Sequence, residues 1–292
     1  LASKKTDYES VNWNKLVGSM KTEVPVQINS IVRRITASNS SIFTGPGTNT
    51  YLIGNNDVSI IDPGPDIIEH IKVIESSSKN INRILLTHTH PDHSPGATLL
   101  QKRLNIPIYG LATDSSIEKD EIIDFESFFS DGDLIITDEY RIEIIHTPGH
   151  ASNHLCYLLQ QEQILFTGDH IMEGSTVVIA PPDGNMSDYI NSLMKIKNYD
   201  VSQIAPGHGE IISNPVEIID WTIDHRLKRE SKVIKSIERF GICKLQELLK
   251  EVYSDVDQRL HPIAEWSLNA HLERLIDLGK VVVDNHEYSV NK

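Results

Sequence analysis

The chain has 292 residues, with 39% hydrophobic and 23% charged side chains. That is enough to bury a core unaided, and the composition excludes disordered, collagen-like and low-complexity readings. Forty-one acidic side chains against 27 basic ones give a formal net charge of −14, a field that opposes duplex DNA or RNA unless cations cluster.

No apolar run approaches the roughly 18 residues that a bilayer span needs. The start carries Lys4, Lys5, Asp7 and Glu9 where a leader would be apolar. Cys156 and Cys243 stand far apart with no second cysteine near either, which argues against a disulfide framework or a Cys-rich zinc finger. The expectation is a soluble, cytoplasmic chain with no membrane contact.

In chain order, Gln27 to about Tyr51 reads as strand, tight turn and strand around Thr44-Gly-Pro-Gly-Thr-Asn49. Val58 to Ile61 is a β-branched strand that stops at Asp62-Pro63-Gly64-Pro65. Asp66 is placed to cap a helix whose Ile67, Ile68, Ile71 and Ile74 recur at helical spacing. Ile81 to Thr87 is a strand, Ala97 to Leu104 a helix and Ile106 to Gly110 a strand, so the pattern is β-α-β. In the second half, Ile142 to His146, Leu155 to Leu159, Ile164 to Phe166 and Gln203 to Ala205 read as strands, with a helix from Tyr189 to Ile196. Polar clusters at Thr147 to His154, Gly168 to His170 and Pro206 to Gly209 adjoin these strands, where α/β proteins build their sites.

Beyond Arg226 the texture changes. Leu245, Leu248, Leu249, Val252 and Tyr253 follow a helical repeat, Leu268, Leu272, Leu275 and Ile276 nearly do, and Gly279 can close that helix. Val281 to Val283, the turn Asp284-Asn285, and Tyr288 to Val290 complete a winged-helix outline. The expected divisions are an extension over 1–26, a catalytic domain over 27–225 and a winged-helix-like domain over 226–292.

Thr87-His88-Thr89-His90-Pro91-Asp92-His93 sets three imidazoles and a carboxylate directly after a strand, where a turn can converge them. Neutral imidazole and carboxylate are zinc ligands, and the same N/O donors suit iron or manganese. Further ligand candidates are His150, Asp169 and His208, each preceded by a glycine that lets the backbone turn sharply.

These motifs, in this order, resemble the metallo-β-lactamase superfamily over about residues 27–225. The resemblance implies an α+β fold, an αββα sandwich with two zinc ions at one edge. His88, His90 and His150 would hold the first ion; Asp92, His93 and His208 would hold the second; Asp169 would bridge them. A bridging hydroxide would be the nucleophile, with Asp92 also orienting it. Zinc β-lactamases generally carry Cys or Ser in place of Asp169, which sets a β-lactamase role aside. Gly47-Thr-Asn-Thr-Tyr-Leu52, Ile61-Asp62-Pro-Gly, and Asp224-His225-Arg226 leading into the tail resemble the β-lactamase-like protein 2 branch. That branch implies endoribonuclease action on single-stranded RNA. A glyoxalase II-like thioester, ester or lactone hydrolase is the close alternative, because an acidic surface disfavours polyanions; a non-catalytic zinc scaffold is the rival outside enzymes. Pro95-Gly96 stands where the family usually has Gly-Gly, a departure that alters a loop and removes no ligand.

Among the neighbours, Asp62 reads either as a group that orients a ligand or as a plain turn residue. His154 reads as loop support or substrate contact, His170 as a pocket wall or an imidazole turned away, and His225 as a proton donor or a residue of the domain junction. Cys156 reads as core. The tail's third helix carries Glu265, Glu273 and Asp277 against Arg274, which suits a lid, a pocket wall or a homodimer contact better than DNA readout. Arg226, Lys228, Arg229, Lys232 and Lys235 form the one basic cluster able to guide an anion, or simply a solvated helix face.

Overall fold

A computed structural model describes residues 20–112 and 123–291; the first 19 residues of the expected extension lie outside the described residues. The chain divides into two compact units. The first takes the described residues up to Thr147 together with Asn153–Val177 and Asp200–Pro215. The second takes Pro148–Ser152, Val178–Tyr199 and Val216 onward.

In the first unit, β1 (Val26–Gln27), β2 (Val32–Thr36), β3 (Asn49–Ile53), β4 (Val58–Ile61), β5 (Ile81–Leu85), β6 (Ile108–Gly110) and β7 (Phe125–Phe128) form one sheet in sequence order. Pairing is antiparallel from β1 to β4 and parallel from β4 to β7. The change comes where α1 (Ile68–Ser77) and α2 (Pro95–Leu104) carry the chain back between parallel neighbours. A second sheet runs β12 (Gln203–Pro206), β11 (Ile164–Gly168), β10 (Leu155–Leu159), β9 (Arg141–His146), β8 (Leu134–Ile136). The two sheets bury one shared core: Tyr51, Ile53, Ile61 and Leu85 from the first meet Ile142, Ile144, Tyr157 and Phe166 from the second. The other face of the first sheet packs Leu52, Ile60 and Ile84 against Ile71, Ile74, Ala97 and Leu100 of α1 and α2.

Most strands and helices stand where periodicity places them. α1 differs at its start: Ile67, in an extended conformation, takes the N-cap position without a side-chain cap, and Asp66 caps nothing. The proline turn keeps the chain extended one residue longer, with Ile67 N–H bonded to the Pro65 carbonyl. His70, Ile71 and Ile74 therefore face the core while Ile68 is exposed. Residues 20–27 run beside β2, where Glu23 N–H bonds the Thr36 carbonyl.

In the second unit, α3 (Met186–Ile196), α4 (Pro215–Phe240), α5 (Leu245–Val252) and α6 (His261–Asp277) accompany a small sheet of β13 (Cys243–Lys244), β15 (Glu287–Val290) and β14 (Val281–Asp284). Val233, Leu248, Leu249, Leu268, Leu272 and Leu275 form its core. Gly279, at φ 66°, closes α6, with its N–H on the Ile276 carbonyl and that of Lys280 on the Leu275 carbonyl. The hairpin turn centres on Asn285 and His286, both at positive φ, one residue later than the sequence suggests; two left-handed residues match the twist of the flanking strands.

Phe166 is 1% exposed and meets the Tyr51 ring edge-on at 5.0 Å between the sheets. Phe166→Ala is expected to cost about 3–5 kcal/mol by cavity formation, read as a lower denaturant midpoint; a loss below about 1 kcal/mol would contradict the packing described.

Candidate metal centre

The site grows from strand ends. Asp62 follows β4, Thr87 follows β5, Asp169 follows β11 and His208 follows β12. Asp62 holds a left-handed conformation at φ 48° and is 1% exposed, a strained state that its surroundings must fix. Its N–H bonds the Leu85 carbonyl. Its carboxylate accepts the Thr87 N–H at 2.8 Å and the Thr87 hydroxyl at 2.6 Å, and its Oδ2 lies 2.9 Å from His93 Nδ1.

That last contact decides the chemistry of His93. With Nδ1–H donated to Asp62, the lone pair is left on Nε2, which lies 3.3 Å from Asp92 Oδ2 and 3.2 Å from Asp169 Oδ1. His208 is arranged the same way. Its Nδ1 lies 3.2 Å from the Gly47 carbonyl, which can only accept, and its Nε2 is 3.2 Å from both Asp92 Oδ2 and Asp169 Oδ1. The four ligand atoms of Asp92, His93, Asp169 and His208 all lie within 4.8 Å of one another. Among the described residues, buried His93 Nε2 has no hydrogen-bond partner of good geometry.

Burial pulls the His93 imidazole down, but Asp92, Asp169 and Asp62 outweigh it and hold the group well above its ordinary range. His208 is likewise pulled down by burial and then raised by Asp169 and Asp92, to about 9. Burial raises Asp92 and Asp169, and the two imidazoles more than offset this and hold both carboxyls down. A buried carboxylate, Asp169, and a part-buried one, Asp92, thus require positive charge beside them. Two aimed imidazole nitrogens and two carboxylates form a donor set that fits zinc, and equally iron or manganese. Asp92 is the most open of the four, its side chain 27% exposed against 12%, 2% and 0% for Asp169, His208 and His93.

Backbone space is part of the site. A Cβ on Gly207 would lie 2.8 Å from Asp169 Oδ1 and 2.8 Å from His93 Cε1. Gly168 turns at φ +44° with Thr87 Oγ1 only 2.5 Å from where a Cβ would stand. The Pro206–Gly209 loop that carries His208 is tied to the start of β3 by Asn49, whose signal was visible in the sequence only as part of a resemblance motif.

The other expected residues are placed as follows. His88 and His90 adjoin, Nε2 to Nδ1, at 3.0 Å, and Thr87 Oγ1 is 3.0 Å from His88 Nδ1. Burial, then His93, His90 and His154, hold His88 well below the ordinary histidine range. His154 is buried with Nδ1 2.9 Å from Thr147 Oγ1, and its ring lies 5.1 Å from that of His88 and 5.8 Å from that of His170. Cys156 is buried in β10.

His150 belongs to the second unit, where its Nδ1 lies 2.7 Å from the Val178 carbonyl. A carbonyl there again calls for a donor at Nδ1. His225 sits on α4 of that unit, stacked on Trp221 at 5.4 Å, and burial with Arg226 and Arg229 lowers it to about 4. The basic cluster of α4 is largely engaged within the same unit. Arg229 and Lys232 bond Asp255, Lys228 bonds Asp224, and buried Arg226 lies 5.2 Å over the Tyr189 ring.

Residues 43–208 match the metallo-beta-lactamase superfamily. The chain belongs to that superfamily. Residues 245–287 match the beta-lactamase associated winged helix domain, so this superfamily hydrolase is an α+β protein with a C-terminal winged helix. A Caenorhabditis elegans protein named beta-lactamase-like protein 2 homolog is 34% identical over 91% of this chain and 90% of its own length. An Aspergillus chevalieri protein named atrochrysone carboxyl ACP thioesterase is 31% identical, over 86% of this chain and 84% of its own length. Among solved structures, a beta-lactamase domain protein from Burkholderia ambifaria superposes with a TM-score of 0.79 at 16% identity, covering 96% of this chain and 99% of that one, which shows the superfamily fold. Among the described residues, no helix is long and apolar enough to cross a membrane.

Gly207→Ala is expected to push His93 and Asp169 apart and to lower zinc affinity by about 10–100-fold, measured by competition with a chromophoric chelator; unchanged affinity would refute the crowding. The second unit is expected to lose stability on acidification. His225 takes a proton more readily unfolded than folded, so its contribution is present above about 6.5 and is lost as pH falls toward 4. His225→Gln should flatten that part of the melting-temperature profile, and an unchanged profile would count against it.

Proposed function

We propose that this chain is a two-metal hydrolase of small thioesters or esters. Zinc is the first choice of cation. Asp92, His93 and His208 would hold one ion; by the superfamily resemblance, His88, His90 and His150 would hold the other, and Asp169 would serve both. Residues 27–225 would form the catalytic domain, and 226–292 the winged-helix-like tail. The observation that carries the reading is the group of Asp92, His93, Asp169 and His208, all but Asp92 buried, in which each histidine has its Nδ1 occupied and its Nε2 aimed at carboxylates.

Divalent cations bound there would polarise the scissile carbonyl and bring the pKa of attacking water toward neutrality. The chain's own residues then divide the work. Asp62 fixes the tautomer and angle of His93. The Gly47 carbonyl does the same for His208. Asp92, the most exposed of the four, faces the side from which solvent and substrate arrive; its carboxylate, kept ionised by the two imidazoles, would orient attacking water as an acceptor. Neutral His88 beside His90 offers lone pairs and not positive charge.

The thioester reading is favoured by the 31% identical relative whose name is that of a thioesterase. Cleavage of single-stranded RNA is the second reading. It rests on resemblance to the β-lactamase-like protein 2 branch, to which the relative 34% identical over 91% of the chain adds weight. A net charge of −14 and the internal pairing of the α4 cations weigh against a polyanion.

The test is a panel of S-lactoylglutathione, a p-nitrophenyl ester, a lactone, nitrocefin and labelled single-stranded RNA, presented to metal-free and zinc-loaded protein. Zinc-dependent thioester or ester turnover is expected, with Asp92→Ala lowering it by about 100-fold or more. RNA cleavage without thioester turnover would transfer the assignment to the second reading, and full activity in Asp92→Ala would remove the mechanism.

A further inference from the structure

The loop Pro206–Gly209, which carries His208, is held at Gly207 by its N–H on the Gly168 carbonyl and at Gly209 by Arg34 Nη1 at 3.4 Å, and Asn49 ties both of its ends to β3. This side chain is 1% exposed. Its two amide hydrogens go to the Pro206 carbonyl at 3.0 Å and the Gly209 carbonyl at 2.8 Å, the residues that bracket the loop. Its Oδ1 accepts the Thr36 hydroxyl at 2.8 Å. Its backbone N–H bonds the Gly207 carbonyl at 2.8 Å, and Thr48 pairs with His208 itself. Tyr51, two residues along the same strand, donates its hydroxyl to the Pro206 carbonyl at 2.9 Å.

An amide is required here by the chemistry of the partners. Both carbonyls can only accept, so the group between them needs two donors, while the Thr36 hydroxyl needs an acceptor. Asparagine supplies two donors and one acceptor from a single short side chain. Aspartate has the same shape and no donor, so it would set an oxygen against two carbonyl oxygens in a dry site, replacing two attractive contacts by repulsion while Tyr51 and Arg34 still serve those carbonyls. The amide also fixes both ends of the turn on which the Gly47 carbonyl then aims His208 Nδ1.

From this we infer that Asn49 is a positioning residue for the cation held by Asp92, His93, Asp169 and His208, acting through the loop and touching neither metal nor substrate. The inference rests on the two-metal reading above and deepens it: Asn49 governs occupancy of one of the two positions and leaves the other alone.

The experiment titrates metal-free protein with cobalt(II), reading stoichiometry by elemental analysis and site environment by visible absorption, with chelator competition for affinity. In Asn49→Asp, one equivalent is expected to bind as in the unsubstituted chain, while the other weakens by about 10–100-fold, the usual effect of removing a group that orients a ligand. Tyr51→Phe, which removes a single bond to the same Pro206 carbonyl, should weaken the same equivalent by a smaller factor, and serves where Asn49→Asp fails to fold. A general loss of structure would weaken both equivalents together. Equal weakening of both, or two equivalents bound as tightly as in the unsubstituted chain, would overturn the role of Asn49 and leave the hydrolase reading standing. An unsubstituted chain that binds no cobalt or zinc would overturn that reading and this one with it.

Discussion

Two carboxylates and two imidazole lone pairs converge on a volume less than 5 Å across, and none of those four atoms can donate to another while both imidazoles are neutral. Such an arrangement repels itself unless a cation enters it, either protons on the imidazoles or a metal ion. The shifts of all four groups express that demand: both histidines are drawn up and both aspartates down. Protons and metal compete for the same nitrogens, so the pull that charges His93 and His208 in the metal-free chain also sets the affinity for a divalent ion. Much else in the first unit follows from keeping those groups together in a dry place.

Strand ends do that work because they combine rigidity with freedom of side-chain direction. Asp62 is held by the Leu85 carbonyl and by Thr50, whose hydroxyl donates to the Asp62 carbonyl. The Thr50 hydroxyl also lies 2.9 Å from His70 Nε2, and His70 Nδ1 lies 2.8 Å from Glu23. A polar chain, buried except at Glu23, therefore runs from the segment before β1 to the residue that orients His93. Each member has a partner, which is the condition under which such a chain rigidifies a fold and does not weaken it. The left-handed backbone of Asp62 is tolerated only because this network over-determines it.

Much of this was legible in the residues. The Thr87 to His93 run follows a strand as its position suggested, and nearly every helix and strand with a clear period is where pattern and turn chemistry place it. Four features were not. β7 and β8 escape because their residues are largely exposed and the strands are short, with little alternation to mark them. The α1 N-terminus escapes because the proline turn, a local backbone constraint, outweighs the capping preference of Asp66. The hairpin turn shifts by one residue because Asn285 and His286 accept positive φ together. Asn49 gave no chemical signal of its own: a buried amide between two carbonyls is a tertiary fact, and no spacing announces it.

The substrate question turns on how far charge reaches. The net charge of −14 belongs to the whole surface, and at physiological salt a surface charge is screened within about 8 Å. It therefore slows the approach of a polyanion without dictating what happens once a short ligand is in the site. Inside, the balance is local and of opposite need, since the carboxylates draw cations inward and bound cations would attract an oxygen of the substrate. A small thioester or ester of little charge meets no barrier from the acidic surface and gains from the cations. An RNA strand meets the barrier along its whole length, and the α4 cations that might offset it are largely taken by Asp224 and Asp255. Selection between the two readings thus rests on how much of the ligand extends beyond the metal group, because only the part outside it feels the acidic surface.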